Sequence, residues 1–182
     1  MGLAQLGTAL CNNRSIKFLN LSQNNFRDIG LRNFVQYLSG PDCPLVELSL
    51  MGNKINNDGM KFLADFLRPN TSLKMLDLSR NAFSDIGFMQ FASEMGSTCS
   101  LAYLDISKNK ELDDEGSLVM MTKALALNRN LTTLDLSGLR IRKPFLKNHF
   151  EPALKTNCTL KYVIGKIPPD LIDSELKTNI LI

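Results

Sequence analysis

Three aspartates, Asp77, Asp105 and Asp135, recur at intervals of 28 and 30 residues, each inside a Leu-Asp-[Leu/Ile]-Ser phrase. Two residues before them stand Met75, Tyr103 and Thr133, and Phe18 holds the same place in an earlier phrase. A carboxylate beside an apolar or aromatic side chain offers a charge-assisted hydrogen bond and apolar contact area together. That chemistry suits the gripping of a basic protein segment. A second group is cationic. Arg140, Arg142, Lys143 and Lys147 lead into Lys155, Lys161 and Lys166, and Glu151 is the only acid between Leu139 and Lys166. Such an end could dock an acidic or phosphorylated protein. On the residues alone, each group also reads as ordinary solvated surface. No catalytic set appears. His149 is the single histidine and has no Ser or Cys partner fixed by the repeat, no phosphate-binding glycine loop is present, and no Cys pair has metal-site spacing. The chain is therefore expected to be no enzyme and to carry no cofactor or metal.

What positions these residues is a repeated phrase. SIKFLNLSQNNFRDIG, PLVELSLMGNKINNDG, SLKMLDLSRNAFSDIG, SLAYLDISKNKELDDEG and NLTTLDLSGLRIRKP follow one another, and the aligned residues Leu19, Leu48, Leu76, Leu104, Leu134 and Val163 lie 28 to 30 apart. A fixed period of this length marks stacked units. Alternating leucines predict strands near 18–22, 47–51, 75–79, 103–107, 133–137 and 162–164, with one face buried. Apolar spacing then turns helical, as at Leu31, Phe34, Val35 and Leu38. The Asn column, Asn24, Asn53, Asn81 and Asn109, is expected to satisfy buried backbone groups where the chain leaves each strand. Asp28, Asp58 and Asp85 are expected to cap the helix that each precedes. Asn157, between helix and strand, is expected to matter less than Asn81.

The template L-x-x-L-x-L-x-x-N-x-[IFL] resembles the leucine-rich repeat, in the ribonuclease-inhibitor-like class with a full helix in every unit. The resemblance covers Gly2 to about Gly165. It implies an α/β solenoid: a curved parallel β-sheet on the concave side and α-helices on the convex side. It also implies a non-enzymatic scaffold that binds another protein. Repeats of this class occur as well in regulators: the GTPase-activating protein of Ran, tropomodulin, the linker family that regulates actin capping protein, and innate-immune sensor arrays. The concave candidates are then Phe18, Met75, Asp77, Tyr103, Asp105, Thr133 and Asp135, with Tyr103 and Asp105 at the centre. The alternative is the basic end at Arg140, Arg142, Lys143 and Lys147.

The 182 residues, 44% apolar and 21% charged, suit one globular domain spanning 1–182, with about five full repeats and partial terminal units. GLAQLGTALCNN reads as the helical half of a unit whose strand half is absent, so the chain is expected to be a piece of a longer array. Residues 166–182, with Leu171, Ile172, Leu176 and Ile180, are expected to form a C-terminal cap. A net charge of +3 and the lack of interleaved aromatics argue against nucleic acid. No apolar run reaches membrane-spanning length, and no small-molecule substrate is implied. Cys43, Cys99 and Cys158 fall on alternate units, about 10 Å apart, too far for a disulfide. Four free thiols, and an N-terminus without a signal pattern, point to the cytoplasm.

Overall fold

The leucine spacing builds a six-stranded parallel sheet in chain order, seen in a computed structural model that describes residues 2–38, 43–96, 99–112 and 115–166. The strands are β1 (Phe18–Asn20), β2 (Glu47–Ser49), β3 (Met75–Asp77), β4 (Tyr103–Asp105), β5 (Thr133–Asp135) and β6 (Tyr162–Ile164). Helices alternate with them: α1 (Gly2–Cys11), α2 (Arg27–Val35), α3 (Asn57–Leu67), α4 (Asp85–Ser93) and α5 (Glu115–Leu127). After β5 come α6 (Lys143–Phe145), a π-helical turn (Leu146–Phe150) and α7 (Glu151–Thr156). Strands β2 to β5 bury their central leucines, Leu48, Leu76, Leu104 and Leu134, at most 1% exposed, and β6 buries Val163. The phenylalanines Phe34, Phe66, Phe88 and Phe91 fill the helix side of one continuous core. A strand plus one helix cannot hide its own apolar face, so each unit is stable only against a neighbour.

The first five strands are shorter than the alternation predicts, three residues rather than five, while β6 has the expected bounds. At the fifth residue after the start of each of β1 to β5 the backbone turns left-handed: Gln23, Gly52, Arg80, Lys108 and Gly138 have φ of 60°, 67°, 55°, 57° and 79°. Pairing between units nevertheless runs on through the turn. Leu50 N–H donates to the Asp77 carbonyl at 2.9 Å and Arg80 N–H to the Ser107 carbonyl at 3.0 Å.

Two asparagine ladders fix the stacking. In the expected one, Asn81 Oδ1 accepts the N–H groups of Asn53 (2.9 Å) and Ile55 (3.1 Å), while its Nδ2 donates to the Leu50 and Leu78 carbonyls at 3.1 and 2.9 Å. Asn53 and Asn109 donate to carbonyls in the same way. The second ladder lies before β3, β5 and β6. Asn70, Asn128 and Asn157 each accept two N–H groups, two and three residues ahead. Asn157 also donates to the Leu125 and Asn128 carbonyls at 2.6 and 3.1 Å. Asn157 is thus as fully engaged as Asn81, contrary to the expectation of a minor role.

The capping expectation also needs correction. The N-cap positions of α2, α3 and α4 are Phe26, Asn56 and Ser84, and none makes a side-chain cap bond. Asp28 lies inside α2 and caps the next helix instead: its Oδ1 accepts the N–H groups of Asn56 (2.7 Å) and Gly59 (3.1 Å). Asn57 does the same for α4, accepting from Ser84 N–H (2.9 Å) and Gly87 N–H (3.2 Å). Asp85 accepts the Ser117 hydroxyl of α5 at 2.5 Å. Asp58, one residue along, is outside this column. The physical reason is proximity. Stacked helix N-termini lie side by side, and an acceptor in one first turn reaches the unpaired N–H groups of the next. The glycines at 59 and 87 follow from this, because a Cβ on Gly59 would stand 2.5 Å from Asp28 Oδ1, and one on Gly87 2.6 Å from Asn57 Oδ1.

The fifth unit departs from the pattern on its helix side, which holds Pro144 and Pro152. The helix there continues, but its turn before Pro152 widens: Glu151 N–H bonds to the Leu146 carbonyl, five residues back. The proposed C-terminal cap, residues 166–182, lies outside the described residues apart from Lys166.

A candidate binding face on the sheet

The sheet register brings the predicted columns together as read from the phrases. Phe18, Glu47, Met75, Tyr103, Thr133 and Tyr162 are successive partners across the sheet. Asn20, Ser49, Asp77, Asp105, Asp135 and Ile164 form the next row. The strand leucines between these rows point into the core, so both rows lie on the open side of the sheet. Phe18 is 66% exposed, while Met75, Tyr103, Thr133 and the three aspartates are half-buried.

Each aspartate has a structural task. Asp77 Oδ1 accepts the Ser79 N–H at 2.9 Å and the Ser79 hydroxyl at 2.7 Å, while Oδ2 takes the Ser49 hydroxyl at 2.8 Å. Asp105 and Asp135 accept the N–H groups of Ser107 and Ser137, both at 2.8 Å. Asn20 makes the equivalent bond to Ser22 at 2.9 Å, so a neutral amide performs the turn's task equally well. Three carboxylates in line are therefore more than the turns require, and they feel one another. Burial first, then the charges of Asp135 and Asp77, push the Asp105 carboxyl above the usual carboxylate range, against hydrogen bonds from Ser107 that pull it down. Burial, followed by Asp105, Asp135 and Asp77, pushes the Tyr103 phenol up to about 12. The row is a concentrated negative field with an aromatic side chain inside it.

The structure adds residues that the phrases did not single out. A depression of about 440 Å³ lies over the first three strands, lined by Phe18, Glu47, Ser49, Met51, Met75 and Asp77 among others. Ser22 and Ser49 share a hydroxyl contact of 2.8 Å there, continuing to Asp77. Met51, the one apolar member of a serine column, was the signal in the sequence for this hollow.

The basic candidates fall elsewhere. Arg140 and Arg142 are exposed on the segment leaving β5, Lys143 opens α6, and Lys147 lies on the π-helical turn. Proximity along the chain groups them, and the sheet does not. His149 is exposed on the same turn, its ring 5.9 Å from that of Phe145. All four cysteines are free; burial raises the thiols of Cys43 and Cys99, and Cys158 is exposed. Among the described residues, no group of three or more His, Cys, Asp or Glu side chains could hold a metal ion. No helix among them is long and apolar enough to cross a membrane.

Comparison with known proteins fits this geometry. A family model described as Leucine Rich repeat matches at residues 12–35, 42–64, 70–92 and 98–118, together half of the chain. Human NACHT, LRR and PYD domains-containing protein 13 is 40% identical over 82 residues, 45% of this chain and 8% of that protein. Pig ribonuclease inhibitor is 38% identical over 81 residues, 44% of this chain and 18% of the inhibitor. The match thus spans less than a fifth of either relative. Among solved structures, the leiomodin-1 actin-binding site 2 superposes with a TM-score of 0.69 at 15% identity, covering 86% of this chain and 87% of that one. The C-terminal domain of Caenorhabditis elegans tropomodulin gives 0.68 at 13% identity, covering 86% and 91%. At such identities these two structures share the fold.

Proposed function

The chain belongs to the leucine-rich repeat family, in its ribonuclease-inhibitor-like form, and on that premise we propose that it is a non-enzymatic scaffold whose concave face holds a basic segment of a partner protein. The observation that carries this reading is the line Asp77, Asp105, Asp135, in register and mutually repelling beside Tyr103. Repulsion among aligned carboxylates is a cost to the free protein. A cationic side chain laid along the row would relieve it, and Tyr103 and Met75 would supply apolar contact beside the charge. Lys and Arg spaced one helical turn apart, about 5–6 Å, approach the strand spacing of about 4.8 Å. The partner is another protein, and nucleic acid, membrane and small-molecule substrates are not part of the reading. Four free thiols support a cytoplasmic setting for that role.

A regulatory setting is compatible with the same face. The matched segments are small portions of longer proteins, several of them named for NACHT and PYD domains. That favours a repeat segment within a multidomain protein over an actin regulator, for which only the fold speaks. The competing docking site is the basic end at Arg140, Arg142, Lys143 and Lys147.

The test uses partner captured from cytosolic extract by the wild-type chain and then identified. Tyr103→Ala with Asp105→Asn is expected to weaken that partner at least about tenfold, some 1.4 kcal/mol, with the melting temperature held. Lys61→Ala, on α3, should change nothing. Binding should also weaken with added salt. Loss of the partner on Arg142→Glu with Lys147→Glu, and its retention by the concave variant, would overturn the reading.

A further inference from the structure

Across the central strands the open face of the sheet changes chemistry in one direction. Met75, Tyr103 and Thr133 form an uncharged row, and Asp77, Asp105 and Asp135 the acidic row beside it. Ser79, Ser107 and Ser137 follow, each bonded to the aspartate of its own strand. Beyond the serines stand Arg80 and Lys108, both exposed. The turns keep these two in step. Gly52 N–H donates to the Ser79 carbonyl at 3.0 Å, Arg80 N–H to the Ser107 carbonyl at 3.0 Å and Lys108 N–H to the Ser137 carbonyl at 2.8 Å. Arg80 and Lys108 are therefore neighbours at about the strand spacing of 4.8 Å. Neither forms an ion pair among the described residues.

The cations continue along this rim. Turns 52–56, 80–84, 108–112 and 138–142 hold Lys54, Arg80, Lys108, Lys110, Arg140 and Arg142, all exposed, against one acid, Glu111. Asp113 and Asp114, next in the sequence after Leu112, lie outside the described residues. The opposite margin of the three central units, Lys74, Ala102 and Thr132, carries one cation. The backbone does not favour long side chains where Arg80 and Lys108 stand. Gly52 and Gly138 fill the same position in other units, and the φ of 55° and 57° at Arg80 and Lys108 is one that glycine adopts more readily. The face thus has a charge gradient across its strands as well as a negative field along them.

We propose that this face receives an α-helix of the partner laid across the strands, with three stripes in a fixed order: apolar on Met75 and Tyr103, basic on the acidic row, and acidic on Arg80 and Lys108. The proposal rests on the concave-face reading and names the form of the partner segment. Three residues separate Asp77 from Arg80 and Asp105 from Lys108, at most about 10 Å of chain. A helix with its side chains is about as wide, roughly 10–12 Å, so one helix reaches both rows. An extended segment does not, because its side chains alternate between two faces and present a single row. On a helix each residue is turned about 100° from the last, so the flanks of the basic stripe meet the rows on either side. The order also fixes direction. Turned end for end, the helix would set its acidic flank on Met75 and Tyr103 and its apolar flank on the cations.

Three designed helical peptides of one length serve as probes. The first carries a central Lys stripe with Leu on one flank and Glu on the other. The second has the same composition with Lys and Glu exchanged, and the third has Gln in place of every Glu. Titrated into the folded chain at low salt, the first is expected to bind at least about tenfold more tightly than the second and about threefold more tightly than the third. Arg80→Gln with Lys108→Gln should erase the advantage of the first peptide over the third, and should bind the third at least as well as the wild type does. Asp105→Asn with Asp135→Asn should weaken both. Equal binding of the first and second peptides, or of the first and third, would overturn the proposal. So would an advantage of the first over the third that survives the loss of Arg80 and Lys108. In those cases the concave-face reading still stands if the third peptide loses affinity for the Asn variant. If no peptide binds, or if the Asn variant binds the third as well as the wild type does, both fall together.

Discussion

In the third unit, β3 leads through the left-handed Arg80 to Asn81, whose side chain makes five main-chain bonds to its own and the preceding unit, and α4 follows as a regular helix. In the fifth, β5 leads through Gly138 to Leu139, half-buried against the core, and the helix side breaks into α6, a π-helical turn and α7. Yet β5 pairs with β4 and β6 in the same register as β3 with its neighbours. The difference lies in the anchors. Unit three is held on both sides of its strand, by Asn70 before it and Asn81 after it. Unit five keeps only the earlier anchor, Asn128, and receives the next from Asn157. One ladder therefore suffices for register. The second allows a regular helix side, and a unit that lacks it can diverge there without disturbing the concave face.

The sharpest way to break this comparison is to remove one rung of each ladder. Asn81→Ala and Asn157→Ala should each cost roughly 2–3 kcal/mol, because each leaves several buried main-chain groups without partners. Paired urea titrations check this, and a loss at Asn157 far below that at Asn81 would show that the second ladder is passive. Next in size is the helix contact between units. Gly87→Ala would set a Cβ 2.7 Å from the Asn57 backbone and should cost about 1–3 kcal/mol. Gly96→Ala, with nothing within 4 Å, should be close to neutral by the same assay.

Lys108→Gly should stabilise by up to about 1 kcal/mol, because its φ of 57° is one that glycine adopts freely. Gly138→Lys, at the same position of unit five, should lose a similar amount. The smallest effect is expected at the acidic row. The folded state raises the proton affinity of Asp105, so its ionisation costs stability as pH rises from the ordinary carboxylate range through the raised value. Asp105→Asn keeps a turn acceptor, as Asn20 does, and should raise the melting temperature slightly at neutral pH. That gain should vanish below the ordinary carboxylate range, and Tyr103 should titrate earlier, as absorbance in alkali would show.

Strand positions and columns were legible because a leucine at a fixed interval states which face is buried, and stacking then aligns everything between. The line Asp77, Asp105, Asp135 could be read directly for that reason. The role of Asp28 could not. Its sequence neighbours make it a cap for its own helix, and only the lateral packing of α2 and α3 brings Asn56 N–H and Gly59 N–H within its reach. The ladder of Asn70, Asn128 and Asn157 was hidden because Asp42 and Thr98 occupy two of its places. The hollow at Met51 escaped notice since depth depends on curvature, which no single phrase encodes. The choice between concave face and basic end rests on a partner's chemistry, which neither the phrases nor the fold contains.

The cap carried from one helix to the next gives the array a direction. Asp28 serves α3, Asn57 serves α4 and Asp85 bonds to α5, so no helix among these supplies the cap of the one before it. A chain leaving the ribosome N-terminus first therefore meets each new helix with its acceptor already in place. Shortening the array from its C-terminal end leaves every remaining cap intact. Shortening it from the N-terminal end always exposes one helix start, so deletion series made from the two ends should lose stability at different rates.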